Sequence, residues 1–215
     1  MEVFPMRQWL YALLLCTLSA AAWSAPADEE AVRAAFQAYK TAVLDRQGVN
    51  AADRVTSGTL DAYQRYRELA LNGDRATLQA LPITDRLQVL IIRHRVPTGQ
   101  LHAMNGRAVF IYAVDRGWIG RESVVRTSIG EVSVDGDTAT AGMRMGQAET
   151  PMNFEFQRQQ GQWRFDLMPV IRMSESVFAQ MAEQHRISEN QLVMNLVGAV
   201  SGQPVDDSIW DAPAK

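Results

Sequence analysis

Three histidines are the side chains in this sequence best suited to proton transfer near neutral pH. They are His94, His102 and His185, and no two of them stand at metal-ligand spacing or in a His-Glu-x-x-His pattern. A histidine hydrogen-bonded to a carboxylate can act as a general acid or base. His94 and His102 are the candidates for this role. The alternative for His94 is a structural place near the end of a buried helix.

The motifs of the other common catalytic and cofactor-binding classes are missing. The one cysteine, Cys16, lies in an N-terminal apolar stretch, so a chain without that stretch has no disulfide, thiolate metal site or cysteine nucleophile. Gly-x-Ser-x-Gly, glycine-rich phosphate-loop and dinucleotide motifs do not occur. The net charge is −3 with acidic and basic residues interleaved, which argues against a nucleic-acid surface. We therefore expect no cofactor, no metal ion and no nucleic-acid partner.

A second set of side chains could bind an apolar ligand. Alternation in the second half of the chain places Phe154 and Trp163 on the apolar face of a predicted sheet. Together with Tyr39, Tyr112 and Trp118, they are candidate ligand-binding residues of a pocket between helices and sheet. The alternative is that this face is plain hydrophobic core.

The elements that must position these side chains begin with helices. Apolar residues spaced by three and four predict an amphipathic first helix that Gly48 ends, and nearly continuous apolar residues predict a buried central helix. The predicted helices lie over 28–46, 75–80, 86–95 and 107–116, with one more after a cap at Ser57 or Thr59 and with Thr84 or Asp85 capping the central one.

The second half changes to a period of two, which is typical of strands. Asp135-Gly136-Asp137 and Gln160-Gly161 predict hairpin turns, and 146–151 is expected to be a longer loop. Apolar residues fall on one face and charged residues on the other, which predicts an antiparallel sheet covered on one side. The predicted strands lie over 128–134, 138–145, 152–158 and 162–167.

Two more helices are predicted after the sheet. Ser174 is expected to cap a helix that runs to His185, and Ser188 a last helix over 189–201. This helical extension, 174–201, has more apolar surface than solvated helices need. It either folds back over the pocket mouth or the sheet, which we expect, or offers an apolar stripe to a second chain, for example in a homodimer.

The N-terminus carries a localisation signal. Arg7, an apolar stretch over Trp9–Leu18 and the small residues that follow predict a secretory signal peptide over 1–25. Cleavage after Ser24 and cleavage after Ala27 both leave small residues at the required positions. The stretch is too short to span a membrane comfortably. We therefore expect a periplasmic or secreted protein with no membrane span after signal removal.

Helices first and strands later predict an α+β fold. We expect N-terminal helices packed on one face of a curved antiparallel sheet of about four strands, with the C-terminal helical extension added. The apolar fraction of 47% is normal for a globular core. The expected organisation is one domain over 28–201 and a loose tail over 202–215.

Two sequence segments carry a resemblance to a known superfamily. The helix ending in Leu44-Asp45-Arg46-Gln47-Gly48 and the strand Gly161-Gln162-Trp163-Arg164-Phe165-Asp166 resemble the nuclear transport factor 2-like, or cystatin-like cone, superfamily over roughly 29–169. The segment 117–123 is similar to uncharacterised exported bacterial members. The chain departs from the pattern in its extra helices before Gly117 and its extension after Pro169. The resemblance implies a pocket between helices and sheet, where relatives can use a His/Asp pair. In this sequence the implied pair is His94 or His102 with Asp115.

These patterns favour an exported, soluble accessory or binding protein over an enzyme. Its expected partner is a small apolar ligand or another periplasmic protein. The alternative is an enzyme of the polyketide-cyclase or dehydratase type that uses the His/Asp pair.

Overall fold

The computed structural model describes residues 25–118 and 121–213. The expected signal peptide lies outside the described residues, apart from Ala25, which begins the first helix. None of the described helices is long and apolar enough to cross a membrane. The described elements are α1 (Ala25–Leu44), α2 (Gly48–Ala52), α3 (Ser57–Asn72), α4 (Arg75–Gln79), α5 (Ile83–Arg95), α6 (Thr98–Ala103), α7 (Gly106–Asp115), α8 (Arg121–Arg126), β1 (Thr127–Asp135), β2 (Thr138–Met145), β3 (Ala148–Gln159), β4 (Gln162–Asp166), α9 (Met168–His185), α10 (Glu189–Ser201) and a 3₁₀ turn (Asp207–Trp210).

The four strands form one curved antiparallel meander in the order β1-β2-β3-β4. Phe154 and Phe156 of β3 pair with Ala141 and Ala139 of β2, and Phe165 of β4 pairs with Phe156. All five side chains are buried, whereas the residue between the two phenylalanines of β3 is exposed on the other face. With helices before and after the sheet, the predicted α+β class is confirmed.

Glycines close the hairpins with two-residue turns. Gln160 and Gly161 have φ values of 54° and 75°, and Gly136 has a φ of 57°. Hairpin turns need this left-handed backbone, which glycine adopts without strain. The two turns predicted from the sequence are therefore confirmed.

The expected loop over 146–151 is wrong, because β3 already begins at Ala148 and includes Pro151. Proline has no N–H for a strand ladder, so it needs an irregular place in a sheet. The pairing register of β2 against β3 shifts between Gly142 and Arg144, opposite the proline. This bulge admits Pro151 and bends the sheet.

Helix α1 lies on the buried face of the sheet. Phe36 stacks on Phe154 with ring centroids 5.3 Å apart, and Tyr39 meets the edge of Phe165 at 5.1 Å. The apolar faces of the first helix and the sheet predict that Trp163 is buried near Phe36 and Tyr39. Trp163 is indeed buried, with 6% of its surface exposed, but the ring contacts to those two residues are made by Phe165. Trp163 lies further along the sheet, at the N-terminal end of α1.

Helices α3, α5 and α7 form a second layer. Tyr63 of α3 meets the edge of Phe110 of α7 at 5.1 Å, and Leu90 of α5 is completely buried, as expected of a central helix. Gly48, the residue expected to end α1, instead begins the unpredicted helix α2. Its N–H donates to Asp115 Oδ1 over 2.7 Å, and a Cβ there would lie 2.5 Å from a backbone oxygen of α7. Close packing of α2 on α7 therefore requires this glycine.

Helix α9 begins at Met168, directly after β4, and not at Ser174 as expected. Pro169 lies in the first turn, where backbone N–H groups have no partner within the helix, so the lack of an N–H costs no hydrogen bond. The fixed φ of proline also suits a helix. The last helix is capped as predicted, because the Ser188 side chain accepts a hydrogen bond from the Gln191 N–H. Both helices fold back onto α5, which is the outcome we expect from their apolar surface.

The expectation of a loose tail is wrong for the described part of the segment after α10. Trp210 in the 3₁₀ turn has 1% of its surface exposed. Arg93 of α5 donates from Nη1 to the carbonyl oxygens of Ile209 and Asp211, both at 2.9 Å, and Arg75 pairs with Asp211 over 3.2 Å. Arg93 and Arg75 lie far from the tail in the sequence, so the composition of the tail does not predict that it packs against the domain.

Candidate functional site

A cavity of about 430 Å³, here called the larger cavity, lies between the helical layer and α9. Tyr39 of α1, Tyr63 of α3 and Ala113 of α7 are buried in its lining, and Trp118 and Phe178 border it from half-buried positions. The volume falls in the range of small-molecule sites in proteins. The rest of the lining is mostly apolar and consists of Thr84, Leu87, Gln88, Ile91, Ile92, Leu167, Val170, Ile171 and Ser174.

Helices α5 and α9 supply most of this lining because each presents one face to it. Leu87 and Ile91 of α5 are four residues apart, as are Val170, Ser174 and Phe178 of α9. Residues four apart lie above one another on a helix. The early start of α9 matters here, because a helix beginning at Ser174 would leave Val170 outside it.

Four hydroxyl-bearing side chains interrupt the apolar lining, and Ser174 is the one whose hydroxyl bonds within its own helix, to Val170 O. Thr84 is 3% exposed, and its Oγ1 has no hydrogen-bond partner within the described part of the chain. Tyr39 and Tyr63 are 5% and 6% exposed, and residues 25–118 and 121–213 provide no hydrogen bond to either phenol. Leaving a buried hydroxyl without a partner is destabilising by about 1–3 kcal/mol. Such a group in a cavity wall can take its partner from a water molecule or a ligand in the cavity.

Burial keeps the two tyrosines protonated. Loss of solvent raises the pKa of Tyr63 to about 12. Loss of solvent, and next the neighbouring Tyr63, raise the pKa of Tyr39 well above its ordinary value. At neutral pH both phenols are therefore hydrogen-bonding groups and not bases, which suits binding better than proton abstraction.

A second cavity of about 240 Å³, here called the smaller cavity, lies on the sheet side of α1. It adjoins the larger cavity at Tyr39, Leu167 and Val170, which line both. Phe154 and two methionines of β2 supply its sheet wall, and Lys40 of α1 borders it. The two cavities are therefore neighbours, and the side chain of Tyr39 is part of the wall of each.

The candidate ligand-binding residues have different places. Tyr39 and Trp118 line the larger cavity, and Phe154 lines the smaller one. Tyr112 supports Trp118 from behind, with its ring edge-on to the indole at 5.4 Å. Trp163 lines neither cavity and instead holds the start of α1.

The structure does not bring the candidate acid–base pair together. His94 lies near the end of α5, and its buried Nε2 has no hydrogen-bond partner among the described residues. His102 is exposed on α6. Asp115 accepts the backbone N–H of Gly48 and so has a structural role. None of the three lines either cavity, and the described residues contain no group of three or more side chains suited to a metal ion.

Three polar residues of the two cavities, Thr84, Tyr63 and Lys40, are not predicted as site residues from the sequence. Thr84 has the sequence signature of a helix cap, and Tyr63 that of an ordinary core residue on an amphipathic helix. For Lys40 a signal was available, because it is the one lysine before the C-terminal residue of a chain otherwise rich in arginine. No local pattern marks Tyr63 and Thr84, since their significance depends on what surrounds them.

Comparisons of the chain with protein-family models, with curated proteins and with solved structures found no match. The resemblance to the nuclear transport factor 2-like superfamily therefore stays a prediction from the sequence pattern. Function has to be inferred from the geometry of the two cavities.

Proposed function

We propose that this chain is an exported, non-catalytic binding protein that holds a small, largely apolar molecule in the larger cavity. The observation that carries the proposal is the unpartnered, buried Thr84 hydroxyl in the wall of a space of about 430 Å³. Export rests on the signal peptide predicted from the sequence.

The volume of the larger cavity limits the size of the molecule. If each non-hydrogen atom takes about 30 Å³, the share of one molecule in liquid water, roughly 14 such atoms fill it. The mostly apolar lining favours hydrocarbon, at roughly 25 cal/mol for each Å² removed from water. A short hydrocarbon chain or ring system fits these limits.

The hydroxyl groups add one polar requirement. Tyr39, Tyr63 and Thr84 can each donate a hydrogen bond, so the ligand should present an acceptor, such as a hydroxyl or carbonyl oxygen, at their end of the cavity. The ligand is therefore apolar over most of its length and polar at one point.

The composition of the lining supports binding over catalysis. The described residues that line the larger cavity include no histidine, carboxylate or lysine, and the two tyrosines among them stay protonated at neutral pH. A group that changes its protonation state near neutral pH is what general acid–base catalysis requires.

Calorimetric titration with decan-1-ol tests the proposal on two matched variants. Ser174→Leu places a larger side chain in the larger cavity, where the serine hydroxyl bonds only to Val170 of its own helix. Ser176→Leu makes the same change at an exposed position of the same helix, outside the lining. We expect saturable binding to the wild type, a loss of roughly tenfold in affinity in Ser174→Leu and no change in Ser176→Leu. Absence of binding, or equal losses in both variants, would overturn the proposal.

A further inference from the structure

We infer that the bound molecule is an amphipathic acid whose anionic end lies at Lys40 and whose apolar body passes through the smaller cavity into the larger one. The inference rests on the proposed function and adds the chemical class of the ligand to it. Tyr39, Leu167 and Val170 line both cavities, so the two spaces adjoin there, and we place the path of the ligand at these residues.

Lys40 has one hydrogen-bond donor left for a ligand. Its Nζ donates to the carbonyl oxygens of Val125 and Thr127 over 3.0 and 2.7 Å. A lysine ammonium has three donors, so these two bonds leave one. No aspartate or glutamate among the described residues forms an ion pair with it, in contrast to Arg75, Arg86, Arg107, Arg144 and Arg158, which all have carboxylate partners.

The surroundings of Lys40 select the kind of anion. The side chain is half-buried and borders a cavity whose other described walls are largely apolar, including Phe36, Phe154 and Met145. Among the side chains that the structure describes, none supplies a counter-charge to Lys40. A cation in that position at an apolar cavity attracts an anion, and a charge-assisted hydrogen bond is stronger than a neutral one. A carboxylate at the end of a hydrocarbon chain satisfies both the charge and the apolar walls.

The position of Lys40 on α1 sets the direction of the chain. Consecutive helical residues point about 100° apart, because a turn holds 3.6 residues. Lys40 accordingly borders only the smaller cavity, while Tyr39 lies between the two. An acid anchored at Lys40 can extend past Tyr39 towards Thr84 and Tyr63, where a polar group further along the chain meets the hydroxyls.

The rival explanation is that Lys40 has a structural role only. Val125 lies in the last turn of α8, whose carbonyl oxygens have no partner inside the helix, so a lysine can hold that end against the start of β1. Lys40→Gln separates the two roles, because an amide N–H₂ can still donate to both carbonyls but carries no charge. Lys40→Arg retains the charge.

The experiment compares decanoate with decan-1-ol, two probes that share chain length but differ in charge. Calorimetric titration at neutral pH and low salt should show decanoate binding the wild type more tightly. We expect Lys40→Gln to weaken decanoate roughly tenfold, leave decan-1-ol unchanged, and Lys40→Arg to restore most of the loss. Arg33→Gln is the matched control, because Arg33 is another α1 cation bonded to a β1 carbonyl, at 2.7 Å from Gly130, but lines neither cavity. It should change neither affinity.

The outcomes separate this inference from the proposed function. Suppose that decan-1-ol binds the wild type, and that Lys40→Gln either weakens both probes equally or weakens neither. The anionic site is then overturned and the apolar site stands. If neither probe binds the wild type, both are overturned. The path through both cavities has its own readout: Thr84→Val should weaken ω-hydroxydecanoate, whose far hydroxyl reaches Thr84, and leave decanoate unchanged. Equal effects on these two acids would overturn the shared path.

Discussion

Trp163 on the last strand donates a hydrogen bond from its indole Nε1 to Asp28 Oδ1, in the first turn of α1, over 3.4 Å. Arg158 completes the contact, with an ion pair of 2.7 Å to Asp28 and its guanidinium 4.6 Å from the centre of the indole ring. The start of α1 is thereby fastened to the β3–β4 hairpin. Because α1 carries both Tyr39 and Lys40, this contact also sets where the two cavities meet.

Replacement of Trp163 by alanine should lower the free energy of unfolding by about 3–5 kcal/mol, since a buried aromatic ring is lost and a cavity remains. Trp163→Phe keeps most of the ring but not the N–H, so its loss should be smaller. Urea denaturation of both variants measures the difference. A loss below about 1 kcal/mol for Trp163→Ala would mean that the ring contributes little packing.

The ion pair with Arg158, chiefly through its hydrogen bond, holds the pKa of Asp28 below its ordinary value. A carboxyl with a depressed folded-state pKa stabilises the fold fully above the unfolded-state value of about 3.9 and loses that effect as the pH falls through the folded-state value. The stability difference between wild type and Asp28→Asn should therefore be constant from about pH 5 to 7 and shrink below about pH 4. Denaturation across this range checks it, and a difference independent of pH would contradict it.

Thr84→Val should raise stability and weaken binding at the same time. The valine removes a buried hydroxyl that has no partner in the described chain, so we expect a gain of about 1 kcal/mol and a severalfold loss in decan-1-ol affinity. Thr59→Val is the matched control, because the Thr59 hydroxyl accepts the Leu167 N–H over 3.1 Å and contacts Thr56 at 3.1 Å. Thr59→Val should lower the free energy of unfolding by about 1–3 kcal/mol, because it leaves the Leu167 N–H without its acceptor. Destabilisation by Thr84→Val would show that its hydroxyl already has a partner.

The C-terminal segment should contribute to stability mainly through Trp210. Trp210→Ala should lower the free energy of unfolding by about 3–5 kcal/mol, because the ring is 1% exposed. Arg75→Gln removes ion pairs between solvent-exposed groups, which contribute little to stability, so it should lower the free energy of unfolding far less than Trp210→Ala does. Thermal and urea denaturation compare the two. Similar small losses in both variants would mean that the segment is only loosely attached.

The sequence by itself determined the sheet and which of its faces is buried. Alternation at period two is a local property of an extended chain, so Phe154 and Phe156 share a face of β3. The two-residue turn at Gln160-Gly161 then sets the register that places Phe165 of β4 opposite Phe156. The turns at Gly136 and Gly161 are local as well, because a left-handed φ concerns one residue at a time. Helical periodicity similarly located the first helix, the buried α5 and the cap at Ser188.

Only the tertiary structure decided the site. Tyr39, Tyr63 and Thr84 come from three different helices, and each alone has the sequence signature of a core or cap residue. Whether they meet, and whether space remains between them, depends on how the elements pack. The start of α9 at Met168 and the burial of Trp210 could not be predicted for the same reason, since the residues that each contacts lie on distant segments. Lys40 likewise became a candidate anion site only once the fold placed it beside an apolar cavity, with no carboxylate partner among the described residues.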